Sequence, residues 1–426
     1  MKKKLLAFLL IGALVLSSFA LVACGDNDGG GDAGETITLS FLNLNPESGP
    51  AVDAIVAAFM EENPHIIIEH EAMNSRQYDQ RIQALAAADE LPDIVTVQMF
   101  PQFQEMARAG LLVDLSDFSM IQDGSFDTVA KTALTLEDGF VYGLTWNNLV
   151  CGVFFNVDIF DELGLEIPKT FDEFVAVCEV LLENDIVPIA SGLGDGWTSM
   201  YSLFNAGIQL VYGSNPDFDD QLWAGEAQFN SPEWIEKYTR LLYIYEAGFY
   251  GDSPMGGNYE QSLSDFATER AAMTIIGSWV IPVFQELNPE LNFGMFPLPM
   301  VDNPDDVVAL FESELGMGIA YSAPPEHREA ALQFFEFFFS PEQYEQYLLD
   351  KMGFSAINGI SVVFHDSMAY ITENYADTGR TGPFMSRRWP GGLDALSHSI
   401  FQEIMMGTMT IEEGLTQMDE YFEEHR

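Results

Sequence analysis

Few residues of this 426-residue chain carry chemistry by type and spacing alone. Its six histidines include no HExxH and its three cysteines no CxxC, so no zinc site or dithiol centre is spelled out. With 66 Asp and Glu residues, carboxylate pairs are inevitable and argue nothing for acid–base catalysis. Gly192, Gly194 and Gly196 alternate with other residues, but the run lacks the full phosphate-binding fingerprint and puts Asp195 where a phosphate would sit. What the sequence does offer is aromatic, amide and charged side chains where regular elements break. Trp146-Asn147-Asn148 interrupts two apolar strands, which is odd for a core and natural for the wall of a cleft. Gly194-Asp195-Gly196-Trp197 follows a strand ending at Ala190, and Trp279 follows a strand ending at Ile276. Arg387-Arg388-Trp389 places two scarce cations beside an indole. The plainer readings are a glycine turn, structural tryptophans, and salt bridges on an acidic surface.

These residues need elements to position them. An extended run, Thr36 to Leu44, leads into the loop Asn45 to Pro50; Val52, Ile55, Val56 and Phe59 then repeat at helical spacing until Asn63-Pro64. Ile66-Ile67-Ile68, a helix marked by Tyr78, Ile82 and Leu85, and Ile94-Val95-Thr96-Val97 follow. Strand–helix–strand–helix–strand with doubly apolar strands predicts an α/β protein with a parallel, doubly wound sheet. The alternation returns at Val141–Trp146, Val150–Phe155, Ile186–Ala190, Ala272–Ile276 and Gly316–Tyr321. Thr170/Glu173, Ser340/Gln343 and Thr410/Glu413 have capping-box spacing at helix starts. Phe334, Phe335 and Phe338 share a helix face with Ala331, which predicts burial and not a membrane patch. Phe171, Phe174, Val175, Cys178 and Leu182 form one stripe, so Cys178 and the strand residue Cys151 are expected as separate buried thiols, a disulfide being the alternative.

The net charge of −49 leaves no basic face for nucleic acid and argues against anionic lipid surfaces. Yet 48% of residues are apolar and 13% aromatic, far too many for a disordered acidic chain, and the length suits two or three domains. Lys2-Lys3-Lys4, an apolar run from Leu5 to Ala20 and Leu21-Val22-Ala23-Cys24 read as a secretory signal, residues 1–23. Its end resembles the bacterial lipobox, which implies lipidation of Cys24 and cleavage just before it; an uncleaved anchor is the alternative. Residues 24–35, almost all Gly, Asp, Asn or Ala after the cysteine, then form a flexible tether. The chain is expected on the outer face of the cell membrane, held by lipid, in an arrangement of Gram-positive type.

Taken in order, further segments resemble the family 1 extracellular solute-binding proteins, sugar receptors of ABC importers. They are Leu91-Pro92-Asp93-Ile94, Ala109 to Leu115, Tyr142-Gly143-Leu144-Thr145-Trp146 with Phe154-Phe155-Asn156, Leu163-Gly164-Leu165 through Pro168-Lys169-Thr170-Phe171-Asp172-Glu173-Phe174, and Ala271-Ala272-Met273-Thr274 with Gly277-Ser278-Trp279. The likeness spans residues 36–426. It implies two α/β lobes of the type 2 periplasmic-binding-protein fold, joined by a hinge and closing on solute. By that analogy the chain crosses near Gly143–Asn148, Phe296–Pro299 and Gln346–Gly353, giving one lobe of 36–143 plus 297–346 and another of 144–296 plus 347–426.

The same resemblance places a sugar or oligosaccharide in the cleft, handed on to a permease, with no enzyme activity, no cofactor and no metal, and with the receptor a monomer. Sugar sites combine aromatic platforms with carboxylate, amide and Arg groups. The cleft residues implied are Asn45 and Glu47 after the first strand, Trp146, Asn147 and Asn148 at the crossing, Asp195 and Trp197, and Trp279 as a stacking ring. Arg388 and Trp389 depart from the family pattern and are weaker members, as are Tyr78, Gln98 and Phe100. A surface glycosidase, the same fold with a polyamine, peptide or organic phosphate, and a receptor feeding a sensor kinase are the competing readings.

Overall fold

The computed structural model describes residues 36–426 apart from 99–100, 137–138, 314, 352 and 361–364, and only the backbone at 101–102, 128–129 and 132. The expected signal, Cys24, the tether and Phe100 lie outside the described residues. The strands run in chain order as β1 (Ile37–Asn43), β2 (Ile66–Ala72), β3 (Ile94–Gln98), β4 (Leu144–Thr145), β5 (Asn148–Asn156) and β6 (Val187–Ala190). β7 (Ala271–Gly277), β8 (Phe293–Phe296), β9 (Ala309–Ser313), β10 (Leu315–Ile319) and β11 (Thr381–Gly382) complete the set. They form two sheets, ordered β2-β1-β3-β10-β4 and β11-β9-β5-β7-β6, with β8 also on β5. Helices pack on both, and the two lobes of the fold are built around them.

The first sheet is parallel only across β2, β1 and β3; β10 runs antiparallel to β3 and to β4. Strands contributed after the chain has visited the other lobe enter from the opposite end, so the sheet is mixed. Val52, Ile55, Val56 and Phe59 are buried on helix Gly49–Glu62, on the spacing read from the sequence. Phe59 meets Phe334 edge-on at 5.4 Å, and Phe334, Phe335 and Phe338 are fully buried while Phe337 lies at the margin. Each such ring contributes about 1.5–3 kcal/mol relative to exposure. In the second sheet every residue of β5 is buried, because β7 pairs along one edge while β9 and β8 share the other end to end. Phe154, Phe266, Phe284 and Phe293 pack over it. Cys151 and Cys178 are both buried and form no disulfide, and burial pushes the Cys178 thiol upward.

Two crossings fall elsewhere than expected. Phe296–Pro299 is no passage: β8 and β9 both pair with β5, so the chain leaves the second sheet between Ser313 and Leu315. Neither is Gln346–Gly353. Phe354 exchanges backbone bonds with Asn148, the Ala356 carbonyl accepts from Asp127 N and Asn358 N donates to the Ser125 carbonyl, whereas His365 stacks on Phe293 of the second lobe. The third passage therefore lies between Asn358 and His365. Residues 297–313 go with the second lobe and 347–358 with the first. At helix starts, Thr410/Glu413 makes a full capping box. Thr170 caps Glu173 N while the Glu173 carboxylate accepts from Lys169 N, one residue early. The Ser340 hydroxyl turns back to the Phe337 carbonyl.

Candidate ligand-binding cleft

β7 ends at Gly277, and the chain turns at once into a 3-10 turn, Ser278–Val280, that throws Trp279 back over the strand end. A Cβ at position 277 would lie 1.7 Å from the indole, so only glycine admits this ring position. The Trp279 ring centroid is 5.2 Å from that of Tyr201, and its Nε1 donates to Tyr259 Oη at 3.1 Å. Trp197 sits 4.9 Å from Tyr259 and meets Tyr201 edge-on. Trp197, Tyr259 and Trp279 are half-buried and Tyr201 is buried, so the four rings form one partly open aromatic platform at the end of β6 and β7.

Two loops deliver it, Ser191–Thr198 and Pro254–Tyr259, packed backbone on backbone. Gly194 N donates to the Gly257 carbonyl at 2.9 Å, and a Cβ on Gly194 or Gly257 would strike main-chain oxygen at 2.6 and 2.3 Å. Of the alternating glycines, Gly194 serves this close approach, not a phosphate. Asp195 stands at the platform edge, where its Oδ2 accepts from Tyr259 N at 3.0 Å and its Oδ1 is 3.8 Å from Arg76 Nη2. Arg76 opens helix Ser75–Ala88 of the first lobe, so this ion pair joins the two lobes. A hydroxylated solute on the rings would meet a carboxylate from one lobe and a guanidinium from the other.

Asp195, Trp197 and Trp279 are thus brought together; the other sequence candidates are not. Trp146, Asn147 and Asn148 are each only 1% exposed. They form the inside of the hinge and do not line an open wall. Trp146 lies among Phe41, Phe338 and Tyr347, and its carbonyl accepts from Tyr344 Oη. Asn147 Oδ1 accepts from Tyr347 Oη, while Asn148 bonds Asp127, Ser313 and Ser355. Asn45 caps the short turn Pro46–Ser48 through a 3.0 Å bond from Ser48 N, and Glu47 is exposed beside it. Arg388 pairs with Asp220, both more than half exposed, and Trp389 is buried among Phe229 and Trp234 in the second-lobe core. Arg387 is sequestered by the fully buried Glu312, and its burial lowers the guanidinium to about 10. Tyr78 is buried with its hydroxyl on the Thr96 carbonyl.

Tyr201, Tyr259 and Arg76 escaped sequence reasoning. All three stand in the first turns of helices; Arg76 and Tyr259 lie off any apolar stripe, while Tyr201 falls on one with Phe204 and Ile208 and so reads as core. Among the described residues no group of three or more His, Cys, Asp or Glu could hold a metal, and no helix is long and apolar enough to cross a membrane.

Two α/β lobes that approach one another beside an aromatic and charged patch have the architecture of a solute-binding protein. The chain belongs to the bacterial extracellular solute-binding protein family, whose profile matches residues 44–345. It is similar to the multiple sugar-binding protein of Streptococcus mutans, with 24% identity over 79% of each chain. It is also similar to the melibiose/raffinose/stachyose-binding protein of Bacillus subtilis, with 21% identity over 93% of this chain and 91% of that one. Among solved structures it superposes on a raffinose complex of the binding protein RafE with TM-score 0.79, at 22% identity over 91% of this chain and 99% of the other. A chitin oligosaccharide binding protein gives 0.80, at 22% identity over 92% and 99%. These proteins are binders, not enzymes, and the structural likeness establishes the shared fold.

Proposed function

We propose that the chain is the extracytoplasmic receptor of an ABC importer and binds a neutral sugar or oligosaccharide between its lobes. The observation that carries this reading is the platform of Trp197, Tyr201, Tyr259 and Trp279 with Asp195 at its edge and Arg76 opposite. Sugar rings present an apolar C–H face that stacks on indole, and hydroxyls that bridge a carboxylate and a guanidinium. Ring centroids 4.9–5.2 Å apart leave a surface and not a box, which suits a stacked pyranose better than an enclosed ammonium group. Arg387 and Arg388, the pair that could have held an acidic sugar, are occupied by Glu312 and Asp220. The named sugars of the relatives support the same class.

Solute is captured by closure about the hinge, with a first lobe of 36–145 plus 315–358 and a second of 148–313 plus 365–426, and the closed form is presented to the permease. The receptor acts as a monomer tethered through lipidated Cys24 on the outer face of the membrane. A Cys24→Ala chain is expected to lose incorporation of labelled fatty acid and to keep residues 1–23; equal labelling of the wild-type and Cys24→Ala chains would overturn the anchor.

A thermal-shift panel of neutral oligosaccharides, uronic acids, polyamines and phosphates tests the ligand class. Ligand at 100 times its Kd adds about 2.7 kcal/mol to the native state, a shift of several degrees. A shift confined to neutral sugars and lost in Trp279→Ala is expected. A shift with cations or phosphates alone would overturn the sugar assignment.

A further inference from the structure

Away from the platform, the lobes meet at a second place. Gln104, on helix Pro101–Arg108 of the first lobe, donates from Nε2 to the Arg387 carbonyl of the second at 2.6 Å. Its neighbour Glu105 lies against Gly391, where a Cβ would fall 1.8 Å from Oε1. The second-lobe side of this contact is firmly held: the Gly391 carbonyl accepts from Tyr421 Oη at 2.5 Å, and the Arg387 guanidinium is clasped by Glu312. Glu312 Oε1 also accepts from Ser313 N at 2.7 Å, and Ser313 Oγ donates to Asn148 Oδ1 at the hinge. The strip 387–391 is therefore referenced to the hinge by a continuous polar chain inside one lobe. The side chains of Gln104 and Glu105 come from the other lobe.

We propose that Gln104 and Gly391 form the closing seam of the cleft. They are positioning residues, which fix how far the lobes close and how long they stay closed without touching the ligand. Opening must break the Gln104–Arg387 bond and draw Glu105 off Gly391, whereas nothing in the polar chain from Arg387 to Asn148 needs to change. Closed-state contacts of this kind slow ligand escape and leave the encounter with the open form untouched. A methyl at 391 can be met by a shift of the flexible Glu105 carboxylate, but a branched side chain fills the seam itself. This inference rests on the cleft being the ligand site.

The test uses the full chain in detergent with a sugar found by the thermal-shift panel. Stopped-flow tryptophan fluorescence gives association and dissociation rates, and fluorophores on Glu61→Cys and Glu233→Cys report the lobe separation. Gln104→Ala is expected to raise the dissociation rate roughly three- to tenfold, the loss of one hydrogen bond, with association unchanged. Gly391→Ile should raise it further and leave the lobes apart at saturating sugar, while Gly391→Ala stays near wild type. Melting of the sugar-free protein should not move in any of the three. Wild-type dissociation and closure in both Gln104→Ala and Gly391→Ile would overturn the seam, provided Trp279→Ala abolishes binding. If Trp279→Ala also binds as wild type, the failure lies with the cleft assignment.

Discussion

Ser313 Oγ donates a 2.8 Å hydrogen bond to Asn148 Oδ1, so two passages between the lobes meet at one side chain. The first-lobe segment that precedes the third passage is tied to the same side chain. Asn148 Nδ2 donates to the Ser355 carbonyl at 3.2 Å and to Asp127 Oδ2 at 2.8 Å, and its backbone is paired with Phe354. The site is buried, so no water replaces a lost partner, and the amide's two donors and one acceptor match what surrounds it.

Replacing Asn148 should therefore damage the hinge. Asn148→Ala leaves the Ser313 hydroxyl and the Ser355 carbonyl short of a partner, at about 1–3 kcal/mol each, and should lower Tm by roughly 3–8 °C. Asn148→Asp should be worse, because it turns an acceptor and a negative charge toward Asp127. Scanning calorimetry of both variants checks the order; an Asp variant as stable as wild type would contradict this account of the hinge.

Gly277 and Trp279 give a second prediction. The methyl of Gly277→Ala would overlap the indole, so Trp279 must leave its place beside Tyr201 and its bond to Tyr259. Sugar affinity should fall roughly two- to tenfold, toward that of Trp279→Ala, because stacking on an aromatic ring carries about 0.5–1.5 kcal/mol beyond burial. Titration calorimetry measures both variants. Equal affinity of Gly277→Ala and wild type would show that the ring position is immaterial to binding.

Much of this was legible in the sequence, for identifiable reasons. The strand–helix alternation of residues 36–98 and the Phe334–Phe338 face follow from apolar spacing, because burial there depends on local periodicity. Trp279 and Asp195–Trp197 were legible as breaks after strands. The hinge misled: Trp146-Asn147-Asn148 looks like a polar interruption, but Tyr344, Tyr347, Ser313 and Ser355, all more than 160 residues away, bury and satisfy it. β8 and β9 were missed because their edge of β5 is fixed by long-range pairing, and Arg387 read as exposed because its partner Glu312 lies 75 positions earlier.

Lys237 supplies a third prediction. Its ammonium is buried, 4.0 Å over the Trp234 ring and 5.0 Å over Tyr238, and desolvation holds its pKa well below the usual lysine value. The native state thus binds fewer protons than the unfolded chain between that lowered pKa and about 10.4. Stability contributed here rises with pH, and the full cost is present below the folded pKa. The ring faces return part of that cost. Lys237→Met keeps the volume and removes the charge, so it should raise Tm by about 2–4 °C at neutral pH, and the advantage should shrink toward pH 10. A lower Tm for the variant at every pH would mean that the cation–ring contacts outweigh desolvation.

The last prediction concerns acid and the closing of the cleft. Asp79, on the first-lobe helix that begins beside Arg76, has its pKa raised, first by burial and then by Asp394 of the second lobe. Asp394 lies three residues beyond Gly391, so the two carboxylates approach only when the lobes are together. A raised acid pKa in the closed form means that closing takes up protons. The repulsion is fully present above that pKa and is relieved as pH falls through it. Sugar dissociation should therefore slow as pH falls from 7 toward the raised carboxyl range of Asp79, while association stays nearly level. Asp79→Asn should show the slower rate already at pH 7 and lose the pH dependence, since an amide cannot repel Asp394. Stopped-flow dissociation across this range is the measurement, and a pH dependence that survives Asp79→Asn unchanged would assign it to another group.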